Sequence, residues 1–261
     1  MIDILLQSVL PFILSALIVI IITILAEKFG TKVGGIFGTI PSTIVIAFVF
    51  IAVNQGEAFA SHAAAVVPAE LGVNVIFLLL FALIVHRSTI LALVVSLASW
   101  AFLSFLLLVF DVTNIFSSIV IYVICFALSF TLLEKVVHVP SKGKVLVHYT
   151  PMKIVLRGLL AGIIITLSVL LSNISDILSG IFSVFPAILS STMVISVREH
   201  GPSFATGMAK SMIFGISSVG VYATGIHFLY PAYGIISGTI VSFCISVLFT
   251  LLLFSVRKKL R

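Results

Sequence analysis

The sequence predicts an all-α membrane protein, a polytopic bundle of about nine transmembrane helices built as two inverted-topology repeats. Three observations carry this expectation. Apolar residues fill 61% of the 261 positions and charged residues only 8%, too little polar surface to cover a soluble fold of this size. The apolar residues come in continuous runs close to the roughly 20 helical residues needed to cross a hydrocarbon core about 30 Å thick. Finally, Gly35-Ile36-Phe37 with Pro41 returns 145 positions later as Gly180-Ile181-Phe182 with Pro186. Aligning 33–64 with 178–209 without a gap gives nine identities, at Gly35, Ile36, Phe37, Pro41, Val49, Gly56, Phe59, Ala60 and Ala64. Two structurally related units are expected from such an internal repeat.

The first apolar segment, 5–26, follows Asp3 where a signal peptide would carry basic residues, and its run is too long for one. Segment two, 36–53, holds the first copy of the motif. Segment three, 63–85, carries Pro68, Glu70 and Asn74, and segment four, 90–110, has Trp100 at its middle. Segment five, 115–133, precedes the longest polar interval, 134–153, where Pro140, Lys142 and Lys144 mark a basic linker. Segments six, 154–171, and seven, 177–197, follow, with the second copy of the motif in seven. Segments eight, 204–229, and nine, 232–256, complete the set. Alternating ten-residue strands of the β-barrel kind are absent from this pattern. The expected division is a first repeat at 1–135, a cytoplasmic linker at 136–153 and a second, inverted repeat at 154–261.

Charge sets the orientation. With the N-terminus outside, all 14 basic residues fall in or near the cytoplasmic segments, while the outer loops hold Asp3, Glu57, Asp111 and Asp176. That sorting is what the positive-inside rule requires of short loops, and it gives an N-out, C-in, multi-pass protein of the cell membrane. The net charge of +6 then reads as a topology signal with attraction to anionic lipid, and no nucleic-acid partner is implied. Segments two and seven run in opposite senses on this count, so segments one to three correspond to six to eight. The last segment pairs with four or with five. The similarity of 121–130 to 240–249, each with a mid-helix cysteine (Cys125, Cys244), points to five.

Inverted repeats are common in alternating-access transporters, whose sites lie near the midplane between repeats. The candidate site residues follow from that placement. A helical proline removes one backbone hydrogen bond and displaces the carbonyl four residues earlier, here those of Phe37 and Phe182. Thr39, Ser42 and Thr43 around Pro41, and Ser190, Ser191 and Thr192 after Pro186, could serve such carbonyls or line a polar cavity. The alternative is a pair of simple proline kinks relieved by hydroxyls. Glu70 is the sharpest single residue, because an ionised carboxylate at mid-helix costs about 2.5–3.5 kcal/mol on insertion scales. With Asn74 one turn further on the same face, it could exchange a proton or hold Na⁺; the alternative places it among the outer headgroups. Lys210 in segment eight either meets an anionic substrate or snorkels to the cytoplasmic face. No metal site is expected: the histidines sit at predicted loops or helix ends without i, i+4 pairing, and Cys125 and Cys244 are expected as buried packing residues. Gly158-x-x-x-Gly162 and Gly234-x-x-x-Gly238 allow close helix contact and leave a homo-oligomer open.

Gly35, Pro41, Ser42, Thr43 and Gly56, repeated as Gly180, Pro186 and Gly201, resemble the GlpM-like group of small bacterial inner-membrane proteins. The resemblance covers about two helices per half. It implies a tandem fusion of a small pore-like unit and lends no substrate. Enzyme signatures such as His-Glu-x-x-His, Gly-x-Ser-x-Gly or an acid pair are missing from the sequence. The expected function is secondary transport of a small solute or ion through the lipid bilayer, coupled to H⁺ or Na⁺ and without a cofactor. An ion channel or a non-transporting, lipid-handling scaffold is the alternative.

Overall fold

The computed structural model describes residues 5–37, 41–136 and 150–259. Helix α1 spans Leu10–Phe37 after a π turn at Leu5–Val9. It runs through the region expected to separate segments one and two, because 27–35 contains no proline and its glycines only weaken a helix. Thr39 lies outside the described residues, as do Pro140, Lys142 and Lys144 of the expected linker. Helix α2 is Ser42–Gln55, and α3 (Glu57–Ala65) and α4 (Val67–Ile84) form one long apolar element interrupted at Val66. The interruption follows from Pro68, which cannot donate back to Ala64 and sits in the first turn of α4. Segment three therefore begins at Glu57 and not near 63.

Helix α5 (Thr89–Val109) is capped by Ser88, whose hydroxyl accepts from Leu91 N, and α6 (Ile115–Thr131) by Asn114, whose side chain accepts from Phe116 N and Ser117 N. A π turn, Leu132–Val136, extends α6. Helix α7 (Pro151–Leu171) starts within the residues expected to be linker. Segment seven is two helices, α8 (Asp176–Ser183) and α9 (Ala187–His200), broken at Val184, Phe185 and Pro186. Segment eight is likewise broken, between α10 (Pro202–Gly215) and α11 (Ser217–Lys259).

Seven helical stretches among the described residues are long and apolar enough to cross a membrane: Gln7–Leu25, Glu57–Ile84, Thr89–Val109, Ile115–Glu134, Pro151–Leu171, Asp176–His200 and Pro202–Leu253; Ser42–Gln55 is apolar but shorter. The last stretch folds back on itself. Gly234 within it has φ 78° and ψ 175°, Tyr230 Oη meets Thr239 Oγ1 at 2.8 Å, Gly225 abuts Ser242, and Ser246 Oγ donates to Ser218 O at 2.9 Å. These pairs sit almost symmetrically about Gly234, which makes α11 a hairpin of two antiparallel arms.

Helix α7 measures the bundle: its 21 residues span about 31 Å at 1.5 Å per residue. At its start, Lys153 pairs with Glu199 near the end of α9. Just beyond its other end, Asn173 accepts from Gln55 Nε2 at the end of α2. Helices α2 and α9 therefore run in opposite directions. One end of the bundle gathers Gln7, Gln55, Glu57, Asn173 and Gly234; the other gathers His86, Thr206, Lys153 and Glu199.

Helices α2 and α9 also share local form. Each has 14 residues, each begins after a proline (Pro41 φ −74°, ψ 53°; Pro186 φ −75°, ψ 34°), and each ends at a glycine (Gly56 φ 92°, ψ 164°; Gly201 φ 83°, ψ 171°). That last conformation is open almost only to glycine.

Close helix contacts account for the glycine pairs. A Cβ on Gly158 would meet Ile20 Cγ1 at 2.7 Å, and one on Gly162 would meet the Phe12 carbonyl at 2.9 Å, so this motif seats α7 on α1. Gly180 in α8 lies against the Ala63 carbonyl, 2.2 Å from an added Cβ. The α3–α4 element is the central shaft, the most thoroughly buried of the seven spans. An apolar helix without a polar face belongs at the centre of a bundle. Of the two thiols, Cys125 is half-buried, but Cys244 is exposed, on an outward face of the hairpin and not in the core.

Candidate functional site

Glu70 lies on the central shaft with 0% exposure, and Asn74 one turn further with 2%. The carboxylate is inside the bundle and away from the ends. Ser104 Oγ of α5 donates to Glu70 Oε1 at 2.9 Å, while Oε2 has no hydrogen-bond partner among the described residues. The Trp100 indole lies beside the same carboxylate, its N–H outside ordinary hydrogen-bond geometry. Ser96, Trp100 and Ser104 recur at every fourth residue of α5, so this helix turns a small polar row toward α4. All three are buried.

The floor of this site is the break between α8 and α9. Trp100 meets the edges of Phe182 and Phe185 at centroid distances of 5.9 and 4.7 Å. Asn74 Nδ2 donates to Val184 O at 2.7 Å, and Asn74 Oδ1 is buried without a partner among the described residues. Within the break, Ile181 O accepts from Val184 N, Phe182 O from Phe185 N, and Gly180 O from Ser183 Oγ. The carbonyl expected to be freed by Pro186, that of Phe182, is thus recaptured by a tighter local turn. The carbonyl that looks outward to another helix is Val184, and Asn74 takes it.

The other expected site residues lie elsewhere. Pro41 is buried at the start of α2, with Ser42 and Thr43 half-buried in its first turn. The residues that follow them pack in a core with Ala60, Ile165 and Tyr222, separate from the core that holds Trp100, Ile177 and Ile181. The two proline motifs therefore do not converge on Glu70; only the second reaches it. Ser191 and Thr192 face Arg157 of α7, whose Nη1 donates to Thr192 Oγ1 at 2.8 Å and to Ser191 Oγ at 3.4 Å. Ser190 Oγ is buried without a partner among the described residues. Lys210, 6% exposed, forms an ion pair with Glu134 of the π turn after α6, so it meets a carboxylate of its own chain. His227, near the end of the first arm of the hairpin, is engaged there: its Nδ1 meets Ser61 O at 2.8 Å while Ser61 Oγ donates to His227 O at 2.6 Å, clasping α3 to the hairpin.

Sequence reasoning missed Trp100, Ser104, Arg157 and Val184 as parts of these clusters. The four-residue spacing of Ser96, Trp100 and Ser104 was the available signal for α5, and Lys153 and Arg157 at i, i+4 for α7. Val184 had none, since its role comes from tertiary packing. No group of three or more His, Cys, Asp or Glu able to hold a metal occurs among the described residues.

The sequence profile of a family described as "Protein of unknown function (DUF3147)" matches residues 8–115. Over that stretch the chain is similar to that family. The stretch covers less than half of the 261 residues. It contains Glu70, Asn74, Trp100 and Ser104 and stops before the second copy of the proline motif. No curated protein and no solved structure matches the chain.

Proposed function

We propose that the protein is a multi-pass carrier of the cell membrane, a secondary transporter of a small solute or ion that takes its coupling cation, H⁺ or Na⁺, at Glu70. The observation that carries this reading is a carboxylate with 0% exposure on the central shaft, one oxygen unpartnered among the described residues, beside a helix break tied to the same shaft by Asn74. Intramembrane acids of this kind mark ion pathways, and discontinuous helices supply the polar groups of midplane sites. The end of the bundle near Glu57 has a surface hollow of about 440 Å³ lined partly by that carboxylate, and another of about 280 Å³ lined by Ala58, Phe59, His62 and Asp176. Glu57 favours a cation at the first.

The architecture proposed is nine crossings in two inverted repeats, N-out and C-in. The opposed directions of α2 and α9 and their matching proline starts and glycine ends support it. A constant offset of 145 also carries 6–26 onto 151–171, 63–85 onto 208–230 and 90–110 onto 235–255. Those targets are α7, the span through α10 into the first arm of the hairpin, and its second arm. The family match ends at residue 115, the first residue of α6. Together these favour segment four as the partner of segment nine and make α6 the unpaired helix that inverts the second half. They outweigh the likeness of 121–130 to 240–249. Tandem fusion of a small membrane unit, as the GlpM-like resemblance implies, is the proposed origin.

The test is a thermal-stability screen of the purified protein and its Glu70→Gln variant against Na⁺, other salts and pH. A ligand bound only by the folded state raises apparent stability by mass action. The expected result is a shift with Na⁺ or with pH in the wild type that Glu70→Gln abolishes. Equal responses in both proteins would remove Glu70 from the site and favour a scaffold or channel.

A further inference from the structure

We infer that the coupling cation is a proton, and that Asn74 reports its presence on Glu70 to the helix break at Val184 through the orientation of its amide. The inference rests on the reading of Glu70 as the coupling site and says which ion occupies it and what the ion moves. Two buried acceptors stand without donors among the described residues, one helical turn apart on one face of α4: Glu70 Oε2 and Asn74 Oδ1. The identity of the Asn74 atoms is fixed by chemistry, because only its Nδ2 can donate to the Val184 carbonyl 2.7 Å away. Its Oδ1 is therefore turned away from Val184 and needs a donor. A proton on Glu70 Oε2 supplies one.

The groups around the carboxylate favour a proton over a metal ion. Na⁺ needs several oxygen ligands at once, whereas the groups contributed by α5 are the Ser104 hydroxyl, donating to Oε1, and the Trp100 indole, which can only donate. A donor-lined carboxylate handles a proton without a cage. Other titratable or charged side chains on the elements packed against α4 are engaged elsewhere or lie at the bundle ends. On α6, Tyr122 bonds Ser217 and Cys125 abuts Gly72. On α10, Lys210 pairs with Glu134. On α11, His227 bonds Ser61, Tyr230 bonds Thr239, Tyr222 is buried in the other core with Tyr230, Tyr233 lies at the hairpin turn and Cys244 is exposed. On α8, Asp176 Oδ1 accepts from Ile177 N at the start of the helix, on α3 Glu57 and His62 are exposed, and α5 has no ionisable residue.

The switch follows from hydrogen-bond bookkeeping. With the proton on, Glu70 Oε2–H donates to Asn74 Oδ1, and Asn74 Nδ2 donates to Val184 O. When that proton leaves to water, two acceptors one turn apart on α4 are left without a donor. The amide then turns over, Nδ2 donates to the Glu70 carboxylate, and Oδ1 faces Val184 O, which repels it. The break between α8 and α9 loses its tie to the shaft. The Asn74–Val184 bond of this structure is the one that the proton-loaded arrangement calls for.

The experiment is hydrogen–deuterium exchange of the segment 184–190 in the purified full-length protein, corrected for the intrinsic pH dependence of exchange. It is run across pH with choline or Na⁺ as the salt, beside infrared difference spectra of the Glu70 carboxylic-acid C=O band. Expected in the wild type is about a tenfold rise in local opening as pH increases, the scale of one lost buried hydrogen bond. Its midpoint should match the loss of the infrared band, and Na⁺ should not alter it. Glu70→Gln, whose amide donates to Asn74 Oδ1 as the acid does, stays protected at every pH. Asn74→Ala stays open at every pH while the Glu70 band still titrates. Protection that follows Na⁺ at fixed pH overturns the proton assignment and leaves Glu70 as a coupling site. A segment indifferent to both pH and Na⁺, with no titrating band, overturns the inference and the coupling reading together. Loss of the band without any change in exchange, or an Asn74→Ala segment that still responds to pH, overturns the role of Asn74 alone.

Discussion

Glu70 differs from the two buried or half-buried lysines in the kind of partner it keeps. Lys153 pairs with Glu199 and Lys210 with Glu134, whereas the one hydrogen bond to Glu70 among the described residues comes from the neutral Ser104. Buried charges are held by partners or by function, so the first two read as fastening and the third as a working group. Ser104→Ala should leave Oε1 without its donor and lower stability by about 1–3 kcal/mol, visible as a lower thermal midpoint that Glu70→Gln, needing no anionic solvation, partly relieves. A Ser104→Ala protein as stable as the wild type would show that the hydroxyl is idle. Lys210→Met should behave differently, because Glu134 is half exposed and can return to water; stability should change by less than about 1 kcal/mol, with every ion response through Glu70 retained. Glu70 and Asn74 were legible as residues because an acid and an amide stand out in an apolar run. Their partners were not, since serine and tryptophan are ordinary in membrane helices and Val184 acts through its backbone.

At the scale of elements, each interruption of a helix is held from a neighbouring one. Asn74 of α4 holds the α8–α9 break, and Tyr122 of α6 meets Ser217 at the α10–α11 break, 2.6 Å between hydroxyls. The α3–α4 break lies against Gly180, whose added Cβ would come 2.6 Å from Val66 Cγ1 as well as 2.2 Å from Ala63 O. Gly180→Ala should therefore push α8 off the shaft, costing about 1–3 kcal/mol, and should raise exchange in 184–190. Gly201→Ala meets nothing within 4 Å and suffers only the backbone penalty of its positive φ, about 1–3 kcal/mol. It should lower the thermal midpoint without altering exchange at 184–190. Equal exchange in the two variants would mean that the Gly180 contact does not position the break. Prolines and glycines announced the ends of α2 and α9 in the sequence. The continuity of α1 through 27–37 was not announced, because a polar stretch with glycines but no proline suits either a loop or a helix.

For the whole molecule, apolar run lengths made a helical bundle with spans of membrane length readable from the chain. The folding back of α11 near Gly234 was legible too, as the boundary between segments eight, 204–229, and nine, 232–256. That the proline motifs sit in separate cores could not be read at all, because an internal repeat says which parts are alike and not which parts touch. Orientation is open to a direct check in a cysteine-free background. Glu57→Cys should react with an impermeant thiol reagent added outside cells, and Arg87→Cys only after the membrane is opened; the reverse pattern would invert the topology. The measurement closest to the central claim is the charge displaced in protein-containing liposomes on a solid-supported membrane after a jump in pH or in Na⁺. A carrier that loads its coupling cation at Glu70 should give a transient current in the wild type, with or without transported solute, and Glu70→Gln should abolish it. A transient that survives in Glu70→Gln, or a sustained current down the ion gradient, would contradict the account.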